Sequence, residues 1–189
     1  ENVKNVEETL MWTVYYLVQH YDACGARERA LEMGKNGVDR WPLCIEMRLA
    51  YGKTLKHAGD RKAAVDALDE ARKMDLADRY LNHKCAKYAM QADNVEKAEE
   101  WIAMFTRDGD LGGIQALYDM QCMWYETEAG DAFMRRGEYS KALKRYTAVM
   151  RHFADILEDQ FDFHTYCLRK MTMRSYVQTL RMEDHVKTH

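Results

Sequence analysis

The sequence holds one proline and ten glycines in 189 residues. Sandwiches, barrels and α/β sheets turn often and use more of both, so this composition points to helices. No stretch approaches the roughly 18 uninterrupted apolar residues of a membrane-spanning helix. The five cysteines, Cys24, Cys44, Cys85, Cys122 and Cys167, are odd in number, far apart and without a C-x-x-C pair. That argues against a disulfide framework and against a zinc site, and leaves small buried hydrophobes in a reducing compartment. The start, Glu1-Asn2-Val3-Lys4, lacks an initiator Met and a signal-peptide core, and is read as a cut from a longer chain. A net charge of −3 disfavours a general nucleic-acid binder, and 47% apolar residues are too many for disorder.

Catalytic signatures are missing too. There is no G-x-S-x-G elbow, no P-loop and no coenzyme A pyrophosphate turn. Asp108-Gly109-Asp110-Leu111-Gly112-Gly113 is rich in glycine but lacks a following Lys-Ser/Thr, so it reads as an exposed loop. His185 and His189 stand at i, i+4 without the glutamate of H-E-x-x-H, and no metal site is expected. Glu99-Glu100 reads as a solvated face.

What the sequence does contain is a repeat. Ala30, Ala64, Ala98 and Ala142 are each followed four residues later by Gly34, Leu68, Ile102 and Tyr146. The turns expected at Gly25, Gly59, Asp93 and Gly137 keep the same spacing: 34, 34 and 44. Leading halves repeat as Val14-Leu17-Val18-Tyr21, Tyr51-Gly52-Leu55, Cys85-Ala86-Ala89 and Ala129-Gly130-Phe133. Pro42 closes the first unit. A helix–turn–helix unit of 34 residues is the tetratricopeptide period. Small residues let paired helices approach; larger ones fill the space between neighbours. The expected architecture is all-α: one right-handed solenoid domain of antiparallel helix pairs over residues 1–189. Its units run about 11–44, 45–78, 79–112 and 123–156, with a partial unit at 163–189 and a loop insertion at 106–118. The last unit is expected as a helix from about Phe163 to Leu180 with a second one starting after it.

Two surface features follow from this register. The peptide-binding tetratricopeptide domains of co-chaperones hold a carboxylate with a Lys/Asn/Arg clamp on their leading helices. Here those positions carry Tyr15 and Gln19, then Leu49 and Lys53, which counts against a generic peptide-binding adaptor. Trp12, Tyr15, Tyr16, Trp124 and Tyr125 read first as core, with groove-lining positions among them. The second feature is charge. Residues 1–140 hold 19 basic against 25 acidic side chains, and residues 141–189 hold 9 against 6. Lys141, Arg145 and His152 fall along one helical stripe, with Lys144 and Arg151 beside it. Tyr166, Lys170 and Arg174 follow at i, i+4 and i+8 on the next helix, near His164. Apart from the 155–162 connector, little neutralises them. They either spread over a solvated face or converge on a phosphate-bearing anion.

Several runs are specific. Asp78-Arg79-Tyr80-Leu81-Asn82-His83-Lys84-Cys85-Ala86-Lys87-Tyr88, Met120-Gln121-Cys122-Met123-Trp124 and Arg151-His152-Phe153 resemble the auxiliary subunit of the NatA N-terminal acetyltransferase. So does Asp159-Gln160-Phe161-Asp162-Phe163-His164-Thr165-Tyr166-Cys167-Leu168-Arg169-Lys170, and the likeness extends over about residues 10–185. The resemblance implies a non-catalytic helical scaffold, cytoplasmic and ribosome-associated. It would wrap a separate catalytic subunit that uses acetyl-coenzyme A on nascent N-termini. It also implies inositol hexakisphosphate held by a basic cluster containing Lys144, Arg151, His152, His164, Tyr166, Lys170 and Arg174. Lys141 and Arg145 join that set from the helical stripe alone. No direct DNA binding and no membrane partner are expected.

Overall fold

The computed structural model describes residues 2–106, 113–158 and 172–186. Every regular element among them is an α-helix. The chain divides into two compact units, Glu1–Ala92 and Asp93–His189.

The first unit contains α1 (Asn2–Ala23), α2 (Arg27–Arg40), α3 (Ile45–His57), α4 (Arg61–Met74) and α5 (Arg79–Gln91). Consecutive helices pack on each other, and α1 also meets α3. That is the pattern of stacked helix pairs, in which leading helices touch across the repeat. The small residues do the work assigned to them. A Cβ on Gly52 would stand 2.1 Å from Leu68 Cδ1, and one on Gly34 would stand 2.9 Å from Tyr51 Cδ2. Ala30, Ala64, Leu68, Cys85 and Ala86 are all buried. α1 begins nine residues before the expected first unit. Glu7 uses this extension to bind Arg40 at 2.9 Å and to accept from Trp41 Nε1 at 3.1 Å, tying α1 to the end of α2.

The second unit contains α6 (Val95–Ala103), α7 (Gly113–Asp119), α8 (Met123–Arg135), α9 (Tyr139–Glu158) and α10 (Met173–Val186). Here α6 packs on α7 and α8 on α9. A Cβ on Gly130 would meet Tyr146 Cε1 at 2.6 Å, the same close approach as at Gly52.

All four expected turns hold. Gly25, Gly59 and Gly137 adopt φ of 78°, 98° and 76°, and Asp93 adopts 63°. This left-handed region costs a side chain, and Asp is one of the residues that tolerate it. Asp60, Asp78 and Asn94 cap the following helices by accepting from Ala63, Tyr80 and Lys97 N–H groups.

Three expectations are corrected. The 106–118 insertion contains a helix: α7 buries Leu117, and Gly113 packs its backbone against Thr106 and Ala103. Ile114, Leu117 and Tyr118, at i, i+3 and i+4, supply the apolar face that forms it. The glycines at 109 and 112 lie outside the described residues. The last described helix starts at Met173 and runs unbroken through residue 180, where a second helix was expected to begin, to Val186; the expected start near 163 lies outside the described residues. Met173 and Tyr176 on it pack against Met123, as does Phe153 of α9. Cys24 is exposed, whereas Cys44 and Cys85 are buried as small hydrophobes; Cys167 lies outside the described residues.

Candidate functional site

The basic residues of the fourth repeat lie on α9, whose period sorts them onto two sides. Lys141, Arg145 and His152 do share a stripe, but it turns from solvent at Lys141 to the interior at Ala148 and His152, which are buried. Lys144 and Arg151 flank it and are exposed. Lys144, Arg145 and Arg151 line one pocket of about 510 Å³, together with Gln115 and Tyr118 of α7, Glu126 of α8 and Ala148.

The other expected ligands are placed differently. Lys141 pairs with Glu138 and sits over the Phe133 ring, and it does not line the pocket. His152 is 1% exposed, with its ring centroid 4.6 Å from that of Tyr118. Burial holds its pKa below the ordinary 6.5, so it is a neutral ring rather than a cation for phosphate. Its Nε2 has no hydrogen-bond partner among the described residues. Arg174 is exposed on α10 and is not among the residues that line the pocket. His164, Tyr166 and Lys170 lie outside the described residues.

The expected lack of neutralising groups is also corrected. Arg145 reaches Glu126 Oε2 at 3.2 Å and Glu99 Oε1 at 3.4 Å, and its guanidinium lies 5.0 Å from the Tyr125 ring centroid. The Tyr125 hydroxyl donates to Glu99 at 2.7 Å. Glu99 therefore belongs to this network and not to a solvated face. A charge drawn partly out of water needs partners, and α6 and α8 supply them here. Glu126 is fully buried, and burial raises its carboxyl pKa against the pull of Arg145. Its Oε1 has no hydrogen-bond partner among the described residues. Lys144 and Arg151 form no ion pair with any described residue and stand as the available cations of the rim.

Sequence reasoning missed Glu126 and Tyr118. The signal for Glu126 was present. It occupies the apolar stripe Met123, Glu126, Gly130, Phe133 of α8, at i, i+3, i+7 and i+10, where a carboxylate must be buried.

In the first unit, Tyr15, Gln19, Leu49 and Lys53 do line one pocket of about 430 Å³, with Lys84 and Tyr88. Tyr and Leu stand where a carboxylate clamp needs donors. Among the other aromatics, Tyr125 is core, while Tyr16 and Trp12 are exposed.

The model of the family "N-terminal acetyltransferase A, auxiliary subunit" matches residues 1–189. The chain is 48% identical over 185 residues to the N-terminal acetyltransferase A complex auxiliary subunit NAA15 of Arabidopsis thaliana, covering 98% of this chain and 20% of that protein. It is 46% identical over 186 residues to N-alpha-acetyltransferase 16, NatA auxiliary subunit, of Mus musculus, covering 98% and 21%. The chain thus spans about a fifth of the length of these relatives. A solved structure of Naa15/Naa10 bound to HypK-THB matches with a TM-score of 0.75 and 40% identity, over 93% of this chain and 27% of that one. The MamA protein, at 16% identity and a TM-score of 0.57 over 83% of this chain and 80% of its own, shares the fold alone. With a family match from the first residue to the last and close to half of all positions identical in distant relatives, the chain belongs to the auxiliary-subunit family of N-terminal acetyltransferase A.

Proposed function

We propose that the chain is a non-catalytic segment of a scaffold that holds and positions a separate acetyltransferase subunit. Acetyl-coenzyme A binds on that partner, which acetylates nascent N-termini at the ribosome in the cytoplasm. The observation that carries this reading is the family match over residues 1–189. The likeness to a Naa15 chain solved together with Naa10 supports a protein partner. Stacked helix pairs suit the role, because each presents a long face on which another protein can rest.

The second part of the proposal is an inositol polyphosphate in the α7–α8–α9 pocket. Lys144 and Arg151 contact phosphates as a point charge and a planar fork. Arg145, held by two carboxylates, orients the wall between them. His152 supports Tyr118 from behind instead of binding the anion. The family resemblance implies His164, Tyr166, Lys170 and Arg174 as further ligands; the first three lie outside the described residues, and Arg174 does not line this pocket.

The test is co-purification of the full-length protein with the acetyltransferase subunit, followed by acetylation of a peptide bearing a free N-terminus. The complex is expected to be active and the full-length protein alone inactive. Acetyl transfer by the protein without its partner would overturn the scaffold reading.

A further inference from the structure

The groove of the first unit is lined chiefly by three leading helices, α1, α3 and α5, and shares no residue with the anion pocket. Its charges divide along the helices. Glu46 and Asp78 stand at the starts of α3 and α5, and Lys53 and Lys84 follow seven and six residues later. At 1.5 Å per residue the acidic and basic levels are roughly 10 Å apart. Leu49 and Tyr80 fall between them, and Tyr15 of α1 lines the same pocket. The carboxylates are already engaged. Asp78 accepts from the Tyr80 and Leu81 N–H groups, and Glu46 accepts from the Cys44 thiol at 3.5 Å. The lysines are not. Neither Lys53 nor Lys84 forms an ion pair with a described residue, and Lys84 Nζ lies 5.4 Å from the Tyr80 ring centroid. Residues 1–92 hold 15 basic against 14 acidic side chains, so the unit exerts no general pull on a polyanion such as RNA. Local charge in the groove therefore decides what enters it.

We propose that this groove binds an extended segment of a partner protein through an acidic side chain held by Lys53 and Lys84. An aliphatic side chain next to the acid rests on Leu49 and Tyr80. A Lys or Arg about three residues away meets Glu46 and Asp78, since an extended chain advances about 3.3 Å per residue. The ligand is thus dipolar rather than polyacidic, because a run of acids would set one carboxylate against Glu46. The tyrosines and Leu49 supply contact area, and the charges fix the register. A chain-terminal carboxylate is not the ligand, because Tyr15 and Leu49 replace the directed donors of a clamp. Lysine ammoniums act as point charges and pair with a side-chain carboxylate without that geometry. Leading helices stacked side by side provide the long surface that an extended segment needs. The site goes beyond the scaffold reading and adds a second ligand class to the chain.

The test is fluorescence anisotropy of the peptide Gly-Ser-Lys-Ala-Leu-Glu-Ser-Gly, labelled at its N-terminus and amidated at its C-terminus. It is titrated with the full-length protein alone and in complex with its acetyltransferase subunit. Binding is expected, and it should weaken with salt. Replacing the peptide's Glu by Gln is expected to weaken it about fivefold. Lys53→Glu is expected to weaken it about tenfold, since reversal adds repulsion to a lost pair. Lys62→Glu makes the same charge change on α4 outside the groove and is expected to stay within about twofold of the parent. Lys53 is exposed, so circular-dichroism melts of its variant should match the parent. Binding by the protein alone that the acetyltransferase subunit abolishes would support the site and make that subunit its occupant. Equal affinity for the Glu and Gln peptides, equal losses in Lys53→Glu and Lys62→Glu, or no binding by the folded protein alone would overturn the proposal. So would an oligouridylate probe that binds through Lys53 when the peptide does not. The scaffold and polyphosphate readings stand under each of these results.

Discussion

Gly52→Ala tests the helix register through a single methyl group. The added Cβ would stand 2.1 Å from Leu68 Cδ1 and 3.4 Å from the Ala64 carbonyl oxygen. Leu68 is 1% exposed, so its Cδ1 can yield only by displacing packed neighbours or by parting α3 from α4. Overpacking of this kind costs about 1–3 kcal/mol. Replacing a mid-helix glycine by alanine returns about 1 kcal/mol of helix propensity. The 2.1 Å approach puts the cost in the upper part of that range, so the expected net loss is about 1–2 kcal/mol, which lowers Tm by roughly 2–8 °C in a chain of this size. Thermal and urea melts followed by far-UV circular dichroism read it directly. A double variant isolates the contact. Leu68→Ala alone costs about 2–5 kcal/mol by opening a cavity. The pair Gly52→Ala/Leu68→Ala should lose about 1–2 kcal/mol less than the sum of the singles, because the new methyl then enters vacated space. A Tm of Gly52→Ala at or above the parent's, or additive losses in the pair, would refute the close approach of these two helices.

Three further outcomes are expected. Gly59→Ala should cost about 1–2 kcal/mol from its φ of 98° alone, since nothing lies within 4 Å of the added methyl; an unchanged urea midpoint would contradict this. His152 has a folded pKa below the ordinary 6.5, so its contribution to stability is full above pH 6.5 and is lost as pH falls through the depressed value. The slope reaches about 1.4 kcal/mol per pH unit. Urea midpoints at neutral and mildly acid pH should therefore fall more in the parent than in His152→Gln, and parallel losses would refute a buried neutral ring. Lys141→Ala should leave inositol hexakisphosphate affinity within about twofold of the parent, because Lys141 is occupied by Glu138 outside the pocket; a tenfold loss would return it to the site.

The repeat was legible because its signals are local. Glycines at turns and alanines at helix crossings act within a few residues, and the positive φ at Gly25, Gly59, Asp93 and Gly137 follows from turn chemistry alone. Gln121, with φ of 53°, carried no such signal, since glutamine is not a residue chosen for that region. The helix α7 was hidden by the glycines before it, although Ile114, Leu117 and Tyr118 already had helical spacing. At the site, the period of α9 placed Lys141, Arg145 and His152 on one stripe. It did not say that the stripe turns inward beyond Arg145. The part-buried Arg145 pairs with Glu99, which is 46 residues away and on another helix. Periodicity assigns neighbours along a helix, and only packing decides which of them keep a free charge. Glu126 shows the converse: a carboxylate on an apolar stripe is visible in sequence, but its partner is not.

The central claim is tested most directly by titrating inositol hexakisphosphate into the full-length protein in complex with its acetyltransferase subunit, at two salt concentrations. The parent is compared with Lys144→Glu/Arg151→Glu. Both substituted side chains are exposed on α9, so helicity and assembly should be unchanged. The parent is expected to bind in the micromolar range or tighter and to weaken with salt, and the double variant to lose binding. Equal affinity in the two complexes would contradict the pocket between α7, α8 and α9 as the place where this scaffold holds its anion.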